Sequence, residues 1–135
     1  MWAMDLRISR TQRQQLVDWA NDAKPDECCG LLLGGSGIVE QLVLTANTAS
    51  DKTREFEIDP AALINAEKGV RSGGPLIVGY FHSHPNGAVA PSPCDARMAA
   101  VDGRRWIIIA GDSITCWRPI TLDGGDVGFA QEDLV

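Results

Sequence analysis

The sequence has only two histidines and four cysteines, and no two cysteines form a C-x-x-C motif. Cys28 and Cys29 are adjacent, which is a poor basis for a disulfide framework, so we expect free thiols in a reducing compartment. Cys28, Cys29 and Cys116 lie in apolar segments and are expected to be small core residues. The sparse histidines, by contrast, lie within three residues of each other, at positions 82 and 84.

Basic blocks and long apolar runs are also missing. The 135 residues carry a formal net charge of −6, and no lysine- or arginine-rich block interrupts this acidic balance. Nucleic acid and anionic membranes are therefore not expected as partners. The apolar runs are far shorter than a membrane-spanning helix, and residues 1–5 do not resemble a secretory signal. These absences favour a cytoplasmic protein.

Short apolar runs alternate with polar and glycine-containing turns, without internal repeats or a linker. This pattern predicts a single α+β domain over residues 1–135, with a mixed or mostly antiparallel central sheet flanked by helices. We expect the core at about residues 5–120, followed by a weakly specified C-terminal tail. Helices are predicted from the capping box at Ser9 to about residue 23, from Pro60 to about residue 70, and from Pro93. Strands are predicted at 28–33, 38–44, 54–58, 76–84, 105–110, 113–118 and 127–131.

The histidines follow the apolar run at residues 76–81 and are followed by a proline. In a strand continuing through His84, the two-residue period places His82 and His84 on one face, where two imidazoles can bind one metal ion. Ser92 and Pro93 then suit the start of a helix, with Asp95 at its third position. Two imidazoles and one carboxylate form a three-ligand zinc site with an open fourth position, which is the catalytic arrangement.

A purely structural interpretation of these residues is also available. Ser92 and Asp95 nearly form a capping box and could simply satisfy helix-start amides. A single histidine is more often a satisfied polar residue than a metal ligand. The zinc hypothesis therefore depends on the combination of motifs and needs a general base as well.

A water activated by zinc requires a carboxylate that takes its proton and returns it to the leaving group. Glu27 is the candidate we choose, because it precedes the strand at 28–33, where a side chain can reach the end of a neighbouring strand. The competing acids Glu55, Glu57 and Asp59 lie on or just after a strand predicted to be half-exposed. A solvated glutamate at a strand start is the alternative for Glu27.

The order of these motifs resembles the JAMM metalloproteases, also called the MPN-plus family. The resemblance consists of a glutamate before a glycine-containing strand (ECCGLLLG from Glu27), then H-S-H-P, then S-x-x-D, and it covers roughly residues 9–118. It implies an MPN fold, whose architecture is like that of cytidine deaminases. It further implies zinc bound by His82, His84 and Asp95, with Glu27 as general acid/base and Ser92 donating a hydrogen bond to the developing oxyanion.

The chain has little room for the insertions with which deubiquitinating relatives grip ubiquitin, so it resembles the minimal prokaryotic form. The resemblance then implies a small ubiquitin-like or sulfur-carrier protein as substrate, cleaved after its C-terminal Gly-Gly. A homodimer is an option that the sequence leaves open.

Three other functions are alternatives to this one. A cysteine hydrolase could use Cys94 or Cys28 with one of the histidines. A scaffold domain of the same fold would have lost its metal, although here all three ligands and the glutamate are present. A zinc nucleoside deaminase would need H-x-E and P-C-x-x-C, but His84 and Arg97 occupy the deciding positions, which excludes it.

Overall fold

The computed structural model describes residues 5–135. The prediction that residues 1–5 do not form a secretory signal therefore falls mostly outside the described residues. Within this range the chain forms three helices and six strands. The helices are α1 (Arg10–Ala23), α2 (Pro60–Arg71) and α3 (Pro93–Met98). The strands are β1 (Cys29–Gly35), β2 (Ile38–Thr45), β3 (Leu76–Ser83), β4 (Arg105–Ala110), β5 (Ser113–Thr121) and β6 (Val127–Glu132).

The six strands form one sheet in the order β2-β1-β3-β4-β5-β6. Strands β3 and β4 pair in parallel, and the other neighbours pair antiparallel. The predicted α+β class with a mixed, mostly antiparallel sheet is confirmed. Among the described helices, none combines the length and the apolarity needed to cross a bilayer.

The two faces of the sheet pack against different elements. On one face, Leu16 and Ala20 of α1 join the main hydrophobic core together with Leu32, Phe81 and Ile107 of the sheet. On the other face, a smaller cluster contains Cys29, Phe56 and Trp106. Since side chains alternate along a strand, Phe81 turns toward α1 while its neighbour His82 turns toward the smaller cluster.

Short polar residues begin all three helices, as the sequence predicts. The Ser9 hydroxyl accepts the Gln12 N–H, and the Gln12 side chain accepts the Ser9 N–H, which completes a capping box at α1. At α2, the Asp59 carboxylate accepts the Ala61 N–H, next to Pro60 at the first helical position. These caps satisfy amides that would otherwise lack partners at the helix starts.

The strand predicted at 54–58 is wrong. Burial does vary along this segment, with Phe56 buried and Glu57 exposed, but no ladder forms. One isolated bridge joins Asn47 to Ile58, and the Asn47 side chain accepts the Glu57 N–H at 3.1 Å. The Asn47 side chain, together with the Thr48 N–H that donates to the Glu57 carbonyl at 2.9 Å, thus supplies individual hydrogen bonds in place of a neighbouring strand. We call residues 47–58 the bridging segment.

The strand predicted at 127–131 is confirmed as β6, at the edge of the sheet beyond β5. Its Glu132 carboxylate binds Arg105 of β4 and Arg118 of β5, each at 2.9 Å. Beyond β6, the backbone of Val135 exchanges hydrogen bonds with Leu6 and Ile8. The two ends of the described chain therefore lie side by side.

Candidate metal centre and active-site cleft

Three buried polar atoms meet at the carboxyl end of β3. His82 Nε2 and His84 Nε2 lie 3.1 Å apart, and Asp95 Oδ2 lies 3.1 Å from each of them. The three residues are at most 5% exposed. The structure thus brings together the three ligands predicted from the sequence, although Asp95 comes from a different element.

The main chain fixes the direction of His84. Its N–H donates to the Ile109 carbonyl at 2.9 Å, which extends the β3–β4 pairing by one residue beyond Ser83. The ring Nδ1 lies 2.9 Å from the Ala88 carbonyl, and a carbonyl can only accept. The proton is therefore on Nδ1, and the Nε2 lone pair faces His82 and Asp95.

Asp95 is held by the start of α3. The Ser92 hydroxyl accepts the Asp95 N–H at 3.0 Å, and the Ser92 N–H donates to Asp95 Oδ2 at 2.9 Å. The capping box suggested by the sequence is thus complete. It also fixes the oxygen that faces both histidines, so the structural and the metal-binding interpretations of this motif hold together.

His82 is oriented by aromatic contacts. Its ring stacks on Phe56 with centroids 4.2 Å apart, and Trp106 packs edge-on at 5.6 Å. Among the described residues, Nδ1 of His82 has no hydrogen-bond partner. Burial lowers the pKa of His82, because the apolar surroundings disfavour the imidazolium. No pattern in the sequence predicts that Phe56 lies against this histidine.

The charges of the other two residues complement each other. Burial by itself would raise the pKa of Asp95, but its contacts with His82 and His84 hold that pKa far below its usual value. Burial would lower the pKa of His84, yet its bonds to Asp95 and Ala88 raise it overall. Asp95 is therefore an anion that attracts a cation into the space between the rings.

The donor set fits a zinc ion. At bond lengths of about 2.0–2.1 Å, neighbouring ligand atoms in a tetrahedral zinc site lie about 3.3–3.4 Å apart. The three observed separations of 3.1 Å are close to that spacing. Two neutral imidazoles and one carboxylate are also the chemistry of catalytic zinc sites.

Glu27 lies beside this centre, 4% exposed, just before β1. One of its carboxylate oxygens lies within 4.8 Å of a ring nitrogen of each histidine. Burial raises the pKa of Glu27 from 4.5 to about 7, and among the described residues its Oε1 has no hydrogen-bond partner. Such a carboxyl group can exchange protons near neutral pH.

A cleft of about 850 Å³ opens over the centre and is lined by Glu27, His84 and Ser92. A second cleft of about 540 Å³ lies on the other side of Glu27, between α1 and the end of β2. Arg54 and Arg97 also line the larger cleft. Glu27 is thus reached from two sides, whereas His82 and Asp95 lie deeper.

The cysteines do not form a nucleophilic site. Cys94 lines the larger cleft, but its thiol donates to the Glu55 carboxylate at 3.3 Å. Burial and that carboxylate raise the pKa of Cys94, which opposes formation of the reactive thiolate. Cys28 is buried in the core, and burial raises its pKa as well. All four cysteines are free, as expected.

The chain belongs to the prokaryotic homologs of the JAB domain, whose family model matches residues 9–120. A curated relative, the desampylase of Haloferax volcanii, is 31% identical over 118 residues, which cover 83% of this chain and 85% of the relative. The probable TtuB-protein conjugate cleaving protease of Thermus thermophilus is 33% identical over 75 residues, covering 56% of this chain and 50% of that protein.

A solution structure of a Desulfitobacterium hafniense protein has the same fold. It superposes with a TM-score of 0.77 at 26% identity, covering 96% of this chain and 91% of that one. The crystal structure of a JAB1/MPN domain protein from Archaeoglobus fulgidus superposes with a TM-score of 0.58 at 21% identity, covering 96% of each chain, so the MPN fold expected from the order of the motifs is confirmed.

Proposed function

We propose that this chain is a zinc-dependent peptidase or isopeptidase that acts in the cytoplasm. It hydrolyses an amide bond after the C-terminal Gly-Gly of a small ubiquitin-like or sulfur-carrier protein. The observation that carries the proposal is the triangle of ring nitrogens and Asp95 Oδ2, each 3.1 Å from the others, beside the buried carboxyl group of Glu27.

His82, His84 and Asp95 would hold the zinc ion. The ion supplies a Lewis acid and an activated water at neutral pH. Glu27 serves as the proton carrier: its carboxylate accepts the proton released by the water and delivers it to the leaving nitrogen. Its pKa of about 7 suits both halves of this transfer, because the group is then a competent base and a competent acid.

Ser92 supplies the hydrogen-bond donor of the site. Its hydroxyl oxygen already accepts the Asp95 N–H, so its own hydrogen is available to a substrate atom in the cleft. A donor placed there can stabilise the negative charge that develops on the scissile carbonyl oxygen.

The relatives support the class of substrate. One is named a desampylase and the other a probable TtuB-protein conjugate cleaving protease, and cleavage of protein conjugates fits the proposed reaction. A carrier protein with an extended tail suits a centre that lies at the bottom of a cleft.

The test combines metal analysis with cleavage. Purified wild-type protein should contain close to one zinc per chain and should cleave a carrier–Gly-Gly fusion. Asp95→Asn should lose most of the metal, because it removes the anionic ligand. Glu27→Gln should keep the metal and lose turnover, because it removes the proton carrier alone. Full activity after complete removal of the metal would contradict the proposal, and activity of Glu27→Gln would contradict the role of Glu27.

A further inference from the structure

Asn47 makes an unusual set of four hydrogen bonds. Its Nδ2 donates to the carbonyls of Glu27 and Glu55, both at 3.0 Å. Its Oδ1 accepts the N–H groups of Ala49 at 3.0 Å and Glu57 at 3.1 Å. Two carbonyl partners and two N–H partners fix the orientation of the amide, and all four of its hydrogen-bonding positions are used.

These bonds attach Glu27 to the bridging segment, residues 47–58. The Glu27 carbonyl is bound by Asn47, and the Glu27 N–H donates to the Lys52 carbonyl at 2.7 Å. Both backbone groups of Glu27 are thus held by the same segment. Oε1 of its side chain has no hydrogen-bond partner among the described residues, so the carboxyl group is placed by the backbone and by the packing of this buried side chain.

The same segment also reaches the metal centre. Phe56 stacks on the ring of His82, and Asn47 binds the residues on either side of Phe56, at Glu55 and Glu57. One amide side chain therefore connects the backbone of Glu27 with the aromatic ring that supports a predicted metal ligand.

We propose that Asn47 is a positioning residue, which holds Glu27 at its working distance from the metal centre through the bridging segment. The inference rests on the proposed function. Asn47 itself is not expected to touch the substrate. Reactions of this kind are sensitive to such positioning, since a displacement of about 1 Å can cost about 10²-fold in rate.

Asn47→Asp is the sharpest variant. It keeps the oxygen that accepts the Ala49 and Glu57 N–H groups and replaces the donor with an oxygen facing two carbonyls. Thr48→Val is the matched control, because Thr48 lies in the same segment and bonds to Glu57 without contacting Glu27. We expect kcat on a carrier–Gly-Gly fusion to fall about 10- to 100-fold in Asn47→Asp, with KM within about threefold and zinc content unchanged. Thr48→Val should retain the wild-type kcat.

A second measurement does not depend on activity. In metal-free protein, hydrogen exchange of the Glu27 amide should be at least about tenfold faster in Asn47→Asp than in wild type or Thr48→Val. The Cys28 amide, which donates to the Ser83 hydroxyl at 2.8 Å, serves as an internal reference.

If the wild type is active and kcat is unchanged in Asn47→Asp, the inference about Asn47 is overturned and the proposed function stands. An equal loss of kcat in Thr48→Val would overturn it too, because general loosening of the segment would then be the cause. A wild-type chain that cleaves no carrier fusion would overturn the proposed function as well.

Discussion

Glu27 and Asp95 are two buried carboxyl groups of one site with opposite electrostatics. Contacts with His82 and His84 keep the pKa of Asp95 far below its ordinary value, whereas burial raises that of Glu27 to about 7. Because their surroundings shift the two pKa values in opposite directions, the two acids have different protonation states and can have different roles. Asp95 is suited to remain ionised and bind a cation, and Glu27 to gain and lose a proton.

The raised pKa of Glu27 has a consequence for stability. An acid with a higher pKa in the folded state binds more protons there than in the unfolded state between pH 4.5 and about 7. As the pH rises through this range, the Glu27 contribution should therefore lower the free energy of unfolding of the metal-free protein by about 2–3 kcal/mol. Glu27→Gln removes this contribution.

The measurement is urea unfolding of chelated wild type and Glu27→Gln at several pH values from 4.5 to 7.5. Asp95 stays ionised in the folded state of both proteins, so the difference between the two reports Glu27 together with its charge interaction with His84. The variant should gain stability relative to wild type as the pH rises. A difference that stays constant would mean that Glu27 is charged at no cost, contrary to its burial.

Ser92 is predicted to act both as helix cap and as catalytic donor, and two substitutions separate these roles. Glycine is a tolerable N-cap, so Ser92→Gly should cost only a few tenths of a kcal/mol of stability, whereas Ser92→Ala should cost about 1 kcal/mol. Both remove the hydroxyl donor, so both should lower kcat by about 10²–10³-fold. Ser92→Thr, which keeps cap and donor, is the control. Unchanged kcat in Ser92→Gly would leave Ser92 as a cap alone.

At the scale of elements, the parallel pair β3–β4 determines where the histidines lie. Gly79 of β3 is opposite Arg105 of β4, and a Cβ at Gly79 would collide with the Arg105 carbonyl oxygen. Gly79→Ala should therefore force the strands apart and cost about 1–3 kcal/mol or more. Because the displacement begins three residues before His82, zinc affinity should fall as well.

Gly69 of α2 provides the matched control, since a Cβ there would meet nothing within 4 Å. Gly69→Ala should increase stability by about 0.5–1 kcal/mol, because alanine favours the helix and loses less entropy on folding. Denaturant unfolding and zinc titration of the two variants test both statements. Equal effects of the two substitutions would show that close approach of β3 and β4 is not limiting.

The sequence predicts most elements because local chemistry marks their ends. Ser9 and Ser92 cap helices by hydrogen bonds to residues three positions away. Such caps can be predicted because both partners lie within a few residues of each other in the sequence. The strand predicted at 54–58 failed because alternation reports which side chains are buried, not what the backbone bonds to. Its partner is the side chain of Asn47, about ten residues earlier, which no periodicity reveals.

In the candidate site, too, local features were predictable and long-range contacts were not. His82, His84 and Asp95 could be predicted because strand alternation and a helix cap place them. The position of Glu27 depends on the pairing of Cys29 with His82, a contact across more than fifty residues, and the motif order suggested it where spacing could not. The support of His82 by Phe56 is a packing contact and left no signal in the sequence.

At the scale of the whole molecule, the sheet places the centre below the surface, and Glu27 beside it lines two clefts. The larger cleft opens over His84 and Ser92, and the smaller one lies beyond Glu27. The predicted ligands are almost fully buried, with His82 0% and Asp95 1% exposed. A scissile bond that reaches them has to come close to buried residues, so we expect small residues next to that bond.

This geometry leads to a prediction about the substrate tail. Carrier fusions ending in Gly-Gly, Ala-Ala or Val-Val before the scissile bond should be cleaved in that order, with Val-Val at least about 10²-fold slower than Gly-Gly in kcat/KM. Branched side chains would collide with the cleft walls and displace the carbonyl from Glu27 and Ser92, and small displacements cost large factors in rate. The assay measures initial rates by mass spectrometry, with Glu27→Gln as the blank. An unstructured peptide with the same Gly-Gly tail, but no carrier, should be cleaved more slowly than the carrier fusion, because it lacks the folded surface that adds binding energy. Equal rates for all three tails, or cleavage of the free peptide alone, would contradict recognition of a carrier while leaving the metal-dependent hydrolysis itself in place.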